Sequence, residues 1–239
     1  MSDSPNHTGG LEACATRLSG IVEDLFAGLR VIASAAERAW LPLAAEGRTL
    51  TRRDVIALKP LVSEFLGSHR FADGAGLIVT PGAVSDAEWC LEWWQSTSNG
   101  KVRPLDLDID PASSGFYDYT SFSWFRRPRD SGRRTVSGPY VDYRGADQYI
   151  LTFTTPVLLG ERFLGVAGAD VTVAGFEAEV WACLREMSEG VALVNAERRV
   201  IVSTVPEYGA GTRVKDMPAG SLATPLALPD LAWELLRLS

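Results

Sequence analysis

Apolar residues recur at intervals of three and four positions through the first part of the chain. Between Leu11 and Trp40 they form one continuous stripe, which comprises Leu18, Ile21, Val22, Leu25, Phe26, Leu29, Ile32, Ala36 and Trp40. This spacing predicts a long helix that ends or kinks near Pro42. Two roles fit such a stripe: packing across a sheet, or pairing with a second copy of the chain. The polar residues 1–10 before it predict a disordered tail.

Beyond residue 50 the pattern changes to shorter segments separated by turn residues. Thr51 and Asp54 predict the start of a second helix, which extends to about Gly67. Short apolar runs predict strands at 76–80, 88–95, 102–107, 149–157, 163–173, 191–194 and 199–203, with a helix over 174–187 and a last helix from about residue 230. The turn-rich, basic stretch between Pro111 and Gly138 predicts a loop.

Strands joined in hairpins behind a long first helix predict an α+β fold, in which helices pack on one face of a central antiparallel sheet. The expected organisation is a tail over 1–10, the long helix over 11–45, a core over 46–187, and a small annex of one hairpin and one helix over 188–239.

Composition limits the classes of function. A chain of 239 residues that is 46% hydrophobic and 22% charged predicts a globular fold. The net charge of −7 argues against nucleic-acid or anionic-membrane partners. The start of the chain lacks the pattern of a signal peptide, and no apolar run has the length of a membrane helix. Cys14, Cys90 and Cys183 are odd in number and far apart, which favours unpaired thiols in a reducing compartment. These features predict a cytoplasmic protein.

Most catalytic signatures are absent from the sequence. It contains no nucleophile elbow, phosphate-binding loop, paired-cysteine motif or zinc-protease motif. The only histidines are His7 and His69, one in the predicted tail and one near a helix end. We therefore expect no enzyme activity, no metal site and no cofactor.

Two charged clusters have ordinary interpretations. Asp106, Asp108 and Asp110 alternate as in a calcium loop, but Pro111 and Tyr117 occupy positions where such a loop requires Gly and Glu. A solvated strand edge is the favoured interpretation. The second cluster comprises Arg126, Arg127, Arg129, Arg133 and Arg134. These arginines fit a phosphate or nucleic-acid site less well than a solvated hairpin tip.

A third cluster combines aromatic rings with carboxylates. It comprises Tyr117, Tyr119, Trp124, Phe125, Tyr140, Tyr143 and Tyr149, together with Asp142 and Asp170. Aromatic faces attract ammonium groups, and a carboxylate accepts hydrogen bonds from them. Asp170 follows a strand expected to be buried, where a carboxylate is costly without a cation or donors. Capping of the following helix by Asp170 is an equally good explanation.

These residues and their surroundings resemble a known family. Tyr117, Trp124 and the segments GPYVD (138–142), YILTFTTPV (149–157) and GVAGAD (165–170) are similar to Cache domains. These are PAS-like ligand-binding domains, found mostly in the extracellular parts of chemoreceptors and sensor kinases. The resemblance covers residues 11–205 and implies a PAS-like Cache sensor fold.

The resemblance also implies a set of ligand-binding residues. The subfamily that binds amino acids has its ligand positions at Tyr117, Trp124, Phe125, Tyr140, Asp142 and Asp170 of this sequence. An Arg that binds the α-carboxylate in that subfamily is replaced here by Phe122. The chain keeps the residues that bind the ammonium group but not the Arg that binds the carboxylate. In this respect it resembles the amine-binding branch of the family, which implies an amine, diamine or polyamine ligand. Arg126 or Arg127 can supply a displaced cation, so amino acids stay open.

The sequence therefore predicts a stand-alone soluble sensor that binds an amine or amino acid without catalysis. We expect it to act on an unknown regulatory partner protein and, in one of the two interpretations of its first helix, to form a homodimer. The alternatives are a ligand-free Cache scaffold for dimerisation or partner binding, and an enzyme that uses Asp142 and Asp170 as an acid/base pair.

Overall fold

The computed structural model describes residues 5–97, 99–142, 148–217 and 220–238, and among these no side chain is described for residues 5–8, 142 and 148. The helices are α1 (Pro5–Ala45), α2 (Arg52–Ile56), α3 (Lys59–Ser68), α4 (Ser123–Ser131) and α5 (Val173–Leu184), with a 3-10 helix at Tyr119–Ser121. The strands are β1 (Ala72–Val79), β2 (Cys90–Ser96), β3 (Val102–Pro104), β4 (Thr135–Asp142), β5 (Gln148–Leu159), β6 (Arg162–Thr172), β7 (Gly190–Val194), β8 (Val200–Ser203), β9 (Leu222–Pro225) and β10 (Glu234–Leu238).

The strands form two sheets. The larger has the order β3-β2-β1-β6-β5-β4, and the smaller has the order β8-β7-β10-β9. In the larger sheet, β1 pairs antiparallel with both β2 and β6. The predicted α+β fold, with a long first helix and an antiparallel sheet, is confirmed.

The chain divides into two compact units. One comprises Leu25–Ser137 and Thr152–Val171, and is called the core unit below. The other comprises Met1–Asp24, Gly138–Leu151 and Thr172–Ser239, and is called the terminal unit.

In the core unit, α1 and α3 pack on one face of the sheet. The Phe26 ring of α1 lies 5.4 Å from the Phe153 ring of β5. A side chain on Gly28 of α1 would collide with the Phe65 ring of α3, since an added Cβ would lie 2.7 Å from it. The apolar positions of the α1 stripe are buried except for Ile21, which is half-buried, and Leu25, Leu29 and Ala36 are fully inaccessible.

In the terminal unit, a disulfide joins Cys14 of α1 to Cys183 of α5, residues that are 169 positions apart. Cys90, in the core unit, is a buried free thiol. The prediction that the cysteines are unpaired is therefore wrong for two of them. Sequence spacing gives no indication of this pair, because the two residues meet only after α1 and α5 have packed.

Three local predictions are also wrong. The helix α1 begins at Pro5, inside the segment expected to be a disordered tail. The expected loop between 111 and 138 contains α4 and the start of β4. The expected last helix is instead β10, which pairs with β7 and β9 and buries Leu235 and Leu236.

Candidate functional site

Asp170 lies near the end of β6, half-buried, and accepts a hydrogen bond of 2.6 Å from the Thr152 hydroxyl of β5. The helix that follows is capped by a different residue: the Thr172 side chain accepts a 3.0 Å hydrogen bond from the backbone N–H of Gly175. Helix capping therefore does not explain the Asp170 carboxylate, and that interpretation is wrong. A hydroxyl donor stabilises the ionised form of a carboxylate and fixes its orientation.

Small residues surround Asp170 on one face of the sheet. Across β1, Gly74 pairs with Asp170, and Gly76 pairs with Gly168 of β6 and Trp93 of β2. Paired residues of antiparallel strands project from the same face, so these five positions share one face. We call it the glycine face. The opposite face, called the helix face, carries the intervening residues of the same strands.

The side chain of Trp93 occupies the space above the glycines. An added Cβ on Gly74 would lie 2.6 Å from Trp93 Nε1, and one on Gly168 would lie 3.3 Å from Trp93 Cη2. The indole thus extends from β2 across β1 to β6. Trp93 is 6% exposed.

The start of α4 lies on the glycine face. The Thr154 hydroxyl of β5 donates a 2.8 Å hydrogen bond to the backbone carbonyl of Trp124. Thr154 itself contacts the position of a Cβ on Gly168, through its methyl group at 3.2 Å. This bond fixes the first turn of α4, which carries Trp124, to the sheet.

Three rings form a ladder at this end of α4. Phe122 stacks on Trp124 at 5.6 Å with an interplanar angle of 8°, and lies 5.1 Å from Tyr117. Offset stacks of this kind stabilise aromatic pairs. Phe122, at the position where the amino-acid-binding subfamily has Arg, is 38% exposed.

Phe125 is a core residue by its contacts. It is 1% exposed and packs against Tyr119 at 5.5 Å and Phe163 at 5.3 Å. The Tyr119 hydroxyl donates to the Val79 carbonyl at 2.7 Å and accepts from the Cys90 N–H at 3.3 Å. Burial raises the pKa of Tyr119, so this hydroxyl keeps its proton and its bond to the sheet.

The remaining candidates belong to the terminal unit. Tyr140 lies on β4 and is half-buried. Asp142 is the last residue of β4, and its side chain is not among those described. Tyr143 lies outside the described residues. Among the predicted site residues, Trp124 contacts Phe125 edge to face, and Tyr117 is joined to Trp124 through the ring of Phe122. Asp170 shares the glycine face that holds α4.

The sequence analysis assigns no site role to two residues of the glycine face. Trp93 lies in a segment predicted as a strand or a helical turn, and Thr152 lies in the strand segment YILTFTTPV. The alternation of Thr152 and Thr154 with Phe153 was a usable signal, because polar residues at every second position of a strand share a face. The role of Trp93 had no such signal, since it depends on the register of β1 against two other strands.

The charged clusters are solvated except at Arg134, which is half-buried with its guanidinium carbon 4.6 Å from the centre of the Phe26 ring. Arg126, Arg127 and Arg129 are exposed on α4, so the hairpin tip expected there is wrong. Asp108 and Asp110 accept hydrogen bonds from backbone N–H groups of their own loop, which follows β3 and is not a strand edge. Within the described residues, no three His, Cys, Asp or Glu side chains are grouped as metal ligands.

None of the helices in the described part of the chain combines the length and apolar character required to cross a bilayer.

Comparison with known proteins identifies the family. Residues 58–177, half of the chain, match the family described as methyl-accepting chemotaxis protein-like, first PDC sensor domain. The chain belongs to this family. The methyl-accepting chemotaxis protein TlpQ of Pseudomonas aeruginosa is 27% identical over 161 residues, which are 66% of this chain but only 21% of that protein.

Solved structures agree on the fold. Methyl-accepting chemotaxis protein X has a TM-score of 0.71 at 17% identity, over 98% of this chain and 96% of that chain. The ligand-binding domain of the Pseudomonas fluorescens chemoreceptor CtaA, in complex with L-valine, has a TM-score of 0.63 at 14% identity, over 97% and 94% of the two chains. The predicted PAS-like sensor fold is confirmed.

Proposed function

We propose that this chain is a ligand-binding sensor domain that recognises an amine and catalyses no reaction. Its family consists of sensor domains, which supports the sensor role. The proposed ligand residues are those predicted from the sequence: Tyr117, Trp124, Phe125, Tyr140, Asp142 and Asp170.

One observation carries the proposal. The Asp170 carboxylate is held by Thr152 on a sheet face that also carries Gly74, Gly168 and the Trp93 indole, and Thr154 bonds the backbone of Trp124 to the same face. A carboxylate oriented among apolar groups is suited to an ammonium, since both the charge and the N–H donors of that ligand are then satisfied.

The exposed Phe122 ring favours an amine over an α-amino acid. CtaA was solved with L-valine, which presents an ammonium and a carboxylate. In this chain, the predicted carboxylate position holds an aromatic ring stacked on Trp124. The family resemblance implies two aspartates at the ligand, Asp142 and Asp170, and this pair of acidic residues favours a diamine over a monoamine.

Calorimetric titration with linear diamines, monoamines and α-amino acids tests this proposal. We expect 1,4-diaminobutane to bind, and Asp170→Asn to weaken its binding by about 10- to 100-fold, the range for a charge-assisted hydrogen bond. The matched control is Asp130→Asn, since Asp130 is an exposed aspartate of α4 that pairs with Arg129. Folded protein that gives no heat with any amine, or an Asp170→Asn variant that binds normally, would contradict the proposal.

A ligand-free scaffold is the second candidate, and the burial of Phe125 favours it. Rings that are buried against one another, as Phe125 is with Tyr119 and Phe163, need no ligand for stability. The same titrations separate the candidates, because a scaffold binds none of the amines.

The oxidation state of the cysteines tests where the chain resides. Cytoplasmic localisation stays a prediction, and one of its premises, unpaired thiols, is wrong for Cys14 and Cys183. A buried structural disulfide favours an oxidising compartment. Thiol titration of unreduced, denatured protein purified from its native source should detect Cys90 alone; three reactive thiols would support the cytoplasmic prediction.

Homodimerisation through α1 also stays a prediction. The same holds for the expectation that the chain is a stand-alone soluble sensor that acts on an unknown regulatory partner. The helix α1 exposes Val31 (54%) and Leu41 (62%) beside its buried stripe, and exposed apolar residues suit contact with a second copy. Sedimentation of wild-type protein and Leu41→Glu tests the homodimer: a dimer through this surface dissociates in the variant.

A further inference from the structure

The indole of Trp93 lies over Gly74 and Gly168, two positions of the glycine face that carry no side chain. A buried tryptophan ordinarily packs among apolar side chains. Replacement of either Gly74 or Gly168 by any other residue would force the ring to move or the neighbouring strand to adjust. The three strands therefore hold the indole at one defined place.

That place is beside Asp170. Gly74, whose Cβ position lies 2.6 Å from Trp93 Nε1, is the residue directly paired with Asp170. Directly paired side chains have Cβ atoms about 5 Å apart and project from the same face. Gly168, whose Cβ position lies near Trp93 Cη2, is two residues before Asp170 on β6 and therefore lies on the same face. The indole thus borders the space into which the Asp170 carboxylate projects.

From this geometry we infer that Trp93 is a ligand-contact residue, whose ring attracts the alkylammonium group that Asp170 binds. This inference rests on the proposed function and adds to it a residue outside the predicted site. Indole is the strongest of the natural side chains in attracting cations, and the attraction grows when water is excluded. Trp93 is 6% exposed, so water is largely excluded from its ring.

The inference also assigns a role to the glycines. Gly74 and Gly168 clear the space in which a planar ring and a carboxylate can lie side by side. An isolated glycine in a strand weakens it. These two glycines are accounted for by the need to accommodate Trp93, whereas an added Cβ on Gly76 would meet the backbone of β2.

Tryptophan analogues at position 93 with one, two or three ring fluorines provide the test. Fluorine withdraws electrons from the ring face without removing the ring. With 1,4-diaminobutane as the titrant, the dissociation constant should rise with each added fluorine, by about 2- to 30-fold over the series. The same series at Trp233, a buried residue of the terminal unit that packs against Phe176, is the control and should show no trend.

A second variant tests the placement of the ring. Gly74→Ala adds a methyl group 2.6 Å from Trp93 Nε1, which is too close for the ring to keep its place. The variant should weaken binding of 1,4-diaminobutane by at least the loss seen in the fluorinated series. Gly67→Ala in α3 is its matched control, because an added Cβ at Gly67 meets nothing within 4 Å.

The outcomes separate this inference from the proposed function. Wild-type binding that is lost in Asp170→Asn but unchanged across the fluorinated series would overturn the role of Trp93 and leave the amine site intact. A wild-type protein that binds neither 1,4-diaminobutane nor any other amine would overturn the proposed function itself. A graded loss at position 93 alone would support both.

Discussion

The two faces of the larger sheet are built from the same strands but differ in composition. On the helix face, Ala75, Leu77 and Phe153 are buried under helices. On the glycine face, their sequence neighbours Gly74, Gly76 and Thr152 contribute little apolar surface. Since alternate residues of a strand project from opposite faces, each strand contributes to stability with one set of side chains and to the candidate site with the other.

This difference predicts that stability and ligand binding can be separated by substitutions at adjacent positions. Apolar contacts on the helix face should dominate the free energy of unfolding. Polar and aromatic groups on the glycine face should affect the dissociation constant of an amine with little effect on unfolding.

The largest expected effect is that of Phe153→Ala on the helix face. Phe153 is fully buried against Phe26, and deletion of a buried phenyl ring costs about 3–5 kcal/mol. Urea unfolding followed by circular dichroism measures this loss. The variant should bind 1,4-diaminobutane normally under conditions where it is folded. A loss below 1 kcal/mol would show that the helix face is not the main source of stability.

Alkaline pH should lower the free energy of unfolding through Cys90, which lies on the helix face. Burial, with a smaller contribution from nearby Glu92, raises the pKa of Cys90 to about 12, whereas the unfolded thiol titrates near its ordinary value. The unfolded chain then binds fewer protons than the folded chain above about pH 9, so stability is complete below that value and falls as pH rises towards 12.

At pH 10 this linkage should lower the free energy of unfolding by about 1–2 kcal/mol relative to pH 8. Urea unfolding of Cys90→Ala at the two pH values is the control, because that variant has no thiol at this position. Tyr119, whose pKa is also raised, adds a loss in the same direction above pH 10 that the variant retains. Equal pH dependence in both proteins would show that Cys90 titrates normally when folded.

The spacing of apolar residues along the sequence predicts the helix face much better than the glycine face. The α1 stripe and the strands β5 and β6 follow from periodicity, because burial under helices imposes regular apolar spacing. The helix α4 was missed since its sequence combines arginines with Pro128, which is atypical of a helix interior. The place of Trp93 could not be predicted, because it depends on Gly76 pairing with Trp93 on one side and Gly168 on the other.

A smaller effect on stability is expected from Thr152→Val on the glycine face. The substitution keeps the shape of the side chain and removes the hydroxyl that donates to Asp170. Loss of this bond should cost about 1 kcal/mol of stability, at the low end for a bond to a charged group because Asp170 is half-buried. Amine affinity should fall about tenfold, since the carboxylate is no longer held in place.

Thr120→Val is the matched control for this substitution. Thr120 also donates through its hydroxyl to an aspartate, Asp118, but the pair lies in the 3-10 helix. Calorimetry and urea unfolding of both variants give the comparison. Equal amine affinity in the two variants would show that the Thr152 hydroxyl has no specific role in amine binding.

The smallest stability effect, and the sharpest test of ligand class, is expected from Phe122→Arg. Phe122 is 38% exposed, so its replacement should change the free energy of unfolding by less than about 1 kcal/mol. A guanidinium at this position would offer a bidentate partner to an α-carboxylate. The variant should therefore bind α-amino acids such as L-valine at least tenfold more tightly than wild-type protein, and 1,4-diaminobutane more weakly because of charge repulsion.

Phe122→Leu, which removes the ring without adding charge, is the control and should gain no amino-acid binding. Tight binding of α-amino acids by wild-type protein would show that another cation already serves the carboxylate, and the preference for amines would then be wrong.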